Sequence, residues 1–224
     1  MTKTLLKKII LVVLLFSALG ATILSILVYI NPVLTVDISV SHYVQSEGDT
    51  PLRKALLLFF LRGISYFGIP TVSVWMVIIV AFIFGWLKYY REAIYFLATL
   101  LAPAIVAIIK LIIHRPRPID QYVTIFDNQV TSSSFPSGHV TFYTAFFGYL
   151  FVTMLITTRI PLLIRQAVII ISILLIILIS ISRVYLGAHW LTDALGGYFF
   201  GFVFLSVHLY FYLKKIVKKV TPVD

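Results

Sequence analysis

The sequence predicts an all-α integral membrane protein with six transmembrane helices, and three observations lead there. The first is composition: 61% of the 224 residues are hydrophobic and 12% are charged, whereas a soluble domain has roughly 45–50% apolar and about 25% charged residues. The second is run length. Crossing a bilayer takes about 20 apolar residues, and six runs reach or approach that: Lys8–Ile30, Thr71–Leu87, Ala93–Ile113, His139–Thr157, Ile164–Ile181 and Trp190–Leu213. The third is the sorting of basic residues to alternate ends of these runs, as cytoplasmic loops require.

The first run follows Lys3, Lys7 and Lys8 and resembles the start of a secretory leader. It is longer than the usual leader core of about 7–15 residues and ends in Tyr29-Ile30-Asn31-Pro32 rather than a small-residue cleavage site. A retained signal-anchor helix is therefore expected. The connections that follow are unequal: 31–70 and 114–136 are long, 88–92 and 158–161 short. Within the first long connection, Ala55–Leu61 is apolar but too short to span, and a helix lying in or dipping into the outer interface is expected there. No internal repeat or low-complexity segment is visible, and the chain reads as one domain over residues 1–224.

With the N-terminus inside, the cytoplasmic side collects Lys3, Lys7, Lys8, Lys88, Arg91, Arg159, Arg165 and the 214–219 lysines. The outer side holds Arg53, Lys54, Arg62, Arg115, Arg117 and Arg183, with Lys110 at its edge, and the acids Asp37, Glu47, Asp49, Asp120 and Asp127. Both termini are thus expected in the cytoplasm. The net charge of +10 is placed as membrane topology demands, not as a nucleic-acid footprint. With no cysteine, disulfides and thiolate metal sites are excluded.

Three clusters break the apolar pattern, each at the outer end of an expected helix. Lys110-Leu-Ile-Ile-His114-Arg115-Pro116-Arg117-Pro118 closes the third run, which its prolines terminate. Pro136-Ser137-Gly138-His139 opens the fourth; a helix N-terminus offers unpaired amides to an anion, Gly138 lets the backbone come close, and Ser137 adds a hydroxyl. Ser182-Arg183, then His189 and Asp193, lie between the fifth and sixth. Charge beside apolar runs suggests function. His189 and Asp193, four apart, would share one helical face, so that the carboxylate could hold one ring nitrogen while the other meets a substrate. Lys110, Arg117 and Arg183 suit phosphate oxygens. Together the clusters hold the parts for covalent phosphoryl transfer: an attacking imidazole, its carboxylate, an acid for the leaving oxygen and cations for the transition state.

Taken singly, each cluster has a structural reading: a polar pair in the last helix, snorkelling basic residues, a capped helix start. The spacing Lys110-x6-Arg117-Pro118, Pro136-Ser137-Gly138-His139, Ser182-Arg183-x5-His189-x3-Asp193 resembles the type 2 phosphatidic acid phosphatase family, which includes bacterial phosphatidylglycerophosphate and undecaprenyl pyrophosphate phosphatases. The resemblance implies a membrane lipid phosphatase acting on a phosphomonoester or pyrophosphate at an extracytoplasmic site. It implies His189 as nucleophile, Asp193 as its partner and His139 as general acid. Lys110, Arg117, Arg183, Ser137 and Gly138 would hold the phosphate. It implies no metal and no cofactor. A lipid phosphate drawn from the membrane is the expected partner; no protein partner is evident. A phosphotransferase would use the same covalent step, and an anion or lipid transporter is a competing class, although transporters hold substrate near the midplane of repeated halves.

Other residues carry structural expectations. His114 and Arg115 sit off the motif positions and read as loop or headgroup contacts; His42 and His208 read as incidental. Asp120 and Asp127 lie in the outer loop. Trp75, Trp86, Trp190 and tyrosines such as Tyr29, Tyr89, Tyr90 and Tyr210 read as interfacial belts, and Gly187, Gly196, Gly197 and Gly201 as close helix packing.

Overall fold

A computed structural model describes residues 3–46, 50–126 and 131–218. Glu47, Asp49, Asp127 and Lys219 lie outside the described residues, as do the side chains of Lys3, Lys215 and Lys218. Among the described residues the chain is helical, in the order α1 (Lys3–Ile30), α2 (Thr35–Ser46), α3 (Pro51–Tyr66), α4 (Pro70–Trp86), α5 (Tyr90–Ala98), α6 (Leu101–Ile113), α7 (Gly138–Ile156), α8 (Leu162–Tyr185) and α9 (Leu191–Lys218).

The helix boundaries follow local chemistry. α1 stops before Asn31-Pro32, because proline pushes the residue ahead of it out of the helical region. α3 starts on Thr50, whose hydroxyl accepts from the Arg53 amide at 3.3 Å, with Pro51 in its first turn. α6 closes on His114 in the left-handed conformation (φ 47°), whose N–H returns to the Lys110 carbonyl.

Five stretches are long and apolar enough to cross a membrane: 5–30, 90–113 (α5 and α6 together), 138–156, 162–185 and 191–214. A sixth results if α3 and α4, bent by 59° at a short break, count as one span. The expected span Thr71–Leu87 corresponds to α4, whose 17 residues rise only about 25 Å, somewhat less than a hydrocarbon core of about 30 Å. The helix expected near Ala55–Leu61 is present as α3, which continues through the bend into α4. α2, inside the same connection, has no counterpart among the expected elements because its apolar content is too low to stand out.

α7 is the central helix, packed against α5, α6, α8 and α9; α1 lies on α9, α3 on α8 and α4 on α5. The α7–α9 crossing depends on small residues. A Cβ on Gly197 would come within 2.7 Å of Val140, and one on Gly201 within 2.5 Å of Thr144, so glycine there lets two backbones approach. Gly196 instead receives the ring of Phe135, from the loop before α7. Gly187 departs from the packing expectation altogether. It follows α8 with φ +67°, and a Cβ there would lie 2.5 Å from the Thr124 carbonyl oxygen.

Gly187→Ala therefore combines a left-handed penalty with a backbone clash. It should destabilise the protein by roughly 1–3 kcal/mol, read as a lowered unfolding midpoint in detergent. An unchanged midpoint would contradict this account of the turn.

Two further expectations are corrected. α8 runs past Ile181 to Tyr185, so Arg183 rides the last helical turn. The arginine ends the hydropathy signal but does not end backbone hydrogen bonding. Trp190 is fully buried and donates Nε1–H to the Pro116 carbonyl at 3.1 Å, so it is no belt residue; Trp75 and Trp86 are exposed as a belt requires.

Candidate active site

The C-terminal ends of α6 and α8 and the N-terminal ends of α7 and α9 meet at one end of the bundle. Lys110, in the last turn of α6, donates Nζ to the Ser133 carbonyl. Arg117 is held by the Ser132 carbonyl (2.9 Å), the Ser132 hydroxyl (3.2 Å) and the Ala188 carbonyl (2.8 Å). Arg183 donates to the Ser65 hydroxyl at 2.9 Å; that hydroxyl is 3.1 Å from Ser182 Oγ, which itself donates to the Leu61 carbonyl. The α3 end thus helps aim a guanidinium carried by α8.

Ser137 caps α7 with its side chain buried, its amide bonded to the Asp193 carbonyl at 3.0 Å and its Oγ without a protein partner among the described residues. A Cβ on Gly138 would meet nothing nearer than Val106 at 3.9 Å, so the backbone at Gly138 is uncrowded. His139, in the first turn of α7, lies within electrostatic reach of Arg183, His189, Arg117 and Lys110. Its ring presses on the Gly68 backbone, where a Cβ would come within 2.2 Å of Cδ2.

His189 precedes α9 rather than riding on it, contrary to the shared-face expectation, but the pairing is retained across the turn. Nδ1 lies 3.4 Å from Asp193 Oδ2 and 3.4 Å from Ser134 Oγ. A carboxylate on the Nδ1 side favours the Nδ1–H tautomer, which leaves a lone pair on Nε2. Burial lowers the imidazole to about 3, against the pull of the Asp193 hydrogen bond and charge and with further push from Arg117 and Arg183. The ring is therefore neutral at pH 7, as an attacking nitrogen must be. Asp193 is fully buried and accepts from the Trp190 amide (2.9 Å), the Ser134 hydroxyl and Arg115 Nη1 (2.5 Å). Among the described residues, no group of three His, Cys, Asp or Glu side chains is gathered as a metal site would be.

A sequence model described as the PAP2 superfamily matches residues 91–216, more than half of the chain. The chain belongs to the PAP2 superfamily. Among curated relatives, phosphatidylglycerophosphatase B of Bacillus subtilis (strain 168) is 36% identical over 92 residues, which is 40% of this chain and 42% of the relative's length. Among solved structures, the crystal structure of the first transmembrane PAP2 type phosphatidylglycerolphosphate phosphatase from Bacillus subtilis superposes with a TM-score of 0.73 at 24% identity. It covers 94% of this chain and 98% of that one. This likeness is one of fold.

The PAP2 chain brings Lys110, Arg117, Ser137, Gly138, His139, Arg183, His189 and Asp193 to one place. It also adds residues that motif reading missed. Arg115, expected as a loop or headgroup contact, is only 2% exposed. Its guanidinium bridges Asp193 Oδ1 (2.5 Å) and Asp37 Oδ2 (2.6 Å), and also reaches Thr192 Oγ1 and the Pro32 carbonyl, each at 2.7 Å. Asp37, expected only as an outer acid, is fully buried near the start of α2. One signal was available: an arginine just ahead of a loop proline, in a chain with eight acids, needs a carboxylate if it is buried. Nothing local pointed to Asp37, 78 positions away.

Two histidines read as incidental have definite contacts. His42 Nε2 lies 2.5 Å from the Tyr122 carbonyl oxygen. His208 is buried between Tyr95 and Tyr149, far along α9 from the cluster.

Proposed function

We propose that this PAP2 protein is a membrane lipid phosphate phosphatase that works in two steps through phosphohistidine. One observation carries the reading. His189, buried and neutral, has a carboxylate on its Nδ1 side, with Arg117, Arg183 and the start of α7 gathered around it. In the first step Nε2 attacks phosphorus, the bond from phosphorus to the leaving oxygen breaks, and His139 gives that oxygen its proton. In the second, water attacks phosphorus, His139 takes a proton from it, and the phosphorus–Nε2 bond breaks to release phosphate. Lys110, Arg117, Arg183, the α7 amides and Ser137 Oγ hold the equatorial oxygens, whose charge peaks in the transition state. None of these roles calls on a metal.

The reading extends to topology. Six crossings, with α3 and α4 taken as one, would leave both termini on the same side of the membrane, and the sorting of basic residues favours the cytoplasm for that side and the outside for the site. The substrate presents a terminal phosphate on a long chain. The relatives' names favour phosphatidylglycerophosphate; phosphatidic acid and undecaprenyl pyrophosphate share the group that the pocket addresses.

Purified protein in detergent with EDTA should release inorganic phosphate from one or more of these three lipids, and vanadate should inhibit competitively, because its trigonal-bipyramidal adduct imitates the transferring phosphoryl group. Loss of activity in EDTA, or indifference to millimolar vanadate, would contradict the mechanism. Transfer of label to a lipid alcohol in place of water would reassign the protein as a phosphotransferase.

A further inference from the structure

We infer that Asp37 and Arg115 are positioning residues for the proposed nucleophile, acting through the Asp193 carboxylate; this rests on the phosphohistidine reading above. All three side chains are fully buried, and they form one chain of charges: Asp37, Arg115, Asp193. Arg115 Nη2 meets Asp37 Oδ2 at 2.6 Å and Nη1 meets Asp193 Oδ1 at 2.5 Å. Thr192 locks the far end. Its amide and hydroxyl both donate to Asp37 at 2.9 Å, and its hydroxyl oxygen accepts from Arg115 at 2.7 Å. The carboxylate that faces His189 is therefore fixed by a residue from the first connection, outside all three motifs.

Two consequences follow from the charges. With Asp193 Oδ1 tied to Arg115, Oδ2 is left to face the Nδ1 side of His189. And because one guanidinium is shared between two carboxylates, the buried triad keeps a net charge of −1. That surplus stabilises the positive charge the imidazole gains once Nε2 bonds to phosphorus. A single Asp193–Arg115 pair would be neutral and would offer the ring much less. The Asp37 carboxylate is engaged by Arg115 and Thr192, which stand behind Asp193, so the effect falls on the chemical step and not on binding.

The test compares wild-type protein with Asp37→Asn, which keeps the size and removes the charge, measuring phosphate release from the three lipids, with inorganic phosphate as a product inhibitor. In Asp37→Asn, kcat should fall about 10- to 100-fold, the usual range for a residue that orients a reacting group from behind. KM and the inhibition constant of phosphate should stay within about threefold. If that variant is not monodisperse, Thr192→Val decides, with a smaller loss of the same kind. Wild-type kcat in the deciding variant would overturn the inference. So would a loss in which KM and the phosphate constant rise in step with the fall in kcat, the mark of a generally disordered site. If the wild-type chain releases no phosphate from any of the lipids, the phosphatase reading fails and this inference falls with it; wild-type turnover beside an unaffected Asp37→Asn removes the inference alone.

Discussion

His189→Ala is expected to abolish turnover, by a factor on the order of 10⁴ or more, while leaving the protein folded. The size follows from the role. A covalent mechanism without its nucleophile keeps only the electrostatic part of the site, and residues that act as a unit lose nearly everything when one is removed. Folding should survive because the ring's polar contacts among the described residues are long, at 3.4 Å to Asp193 and Ser134. The shorter bonds to Asp193 come from Arg115, Trp190 and Ser134 and remain in the variant. Phosphate release per monodisperse protein, with phosphohistidine trapped by acid-free quench of labelled substrate, provides the check. Retained turnover, or label on the alanine variant, would remove His189 from its role.

His139→Gln should give the next largest effect, and one that depends on the leaving group. A general acid matters in proportion to the basicity of the oxygen it protonates, and contributes roughly 10²–10⁴-fold for a poor leaving group. Phosphatidic acid and phosphatidylglycerophosphate expel an alkoxide and should lose that much. Undecaprenyl pyrophosphate expels a phosphate, which needs little protonation, and should lose far less. Glutamine keeps a polar side chain of similar length against the Gly68 backbone, where His139 now packs, so the pocket should hold its shape. Equal losses on all three substrates would mean that His139 holds phosphate rather than donating a proton.

Much of this was legible in the chain. Long apolar runs specify helices because backbone groups in hydrocarbon must bond within their own segment, and the runs located α1, α4, the α5–α6 pair, α7, α8 and α9 to within a few residues. Proline marked the stops at Asn31-Pro32 and Pro116, whereas the turn at Gly187 was read only as helix packing. The three clusters stood out because charge beside apolar sequence is costly unless it is used. The reading failed where hydropathy and backbone hydrogen bonding part company. Arg183 ended an apolar run but not its helix. α2 was too polar to register as an element. Trp190 was taken for a belt residue on composition, whereas packing buried it beneath the Pro116 carbonyl.

By itself, then, the sequence determined that the protein is helical, lies in a membrane and carries charged and histidine residues in three motifs of the PAP2 pattern. Those properties depend on local composition and short spacing, which a chain displays in order. Only the tertiary structure decided what stands behind His189. The partnership of Asp37 with Arg115 joins positions 78 apart, through α2, the loop after α6 and the first turn of α9. No periodicity records it, because a buried ion pair is specified by which helix ends come to lie together.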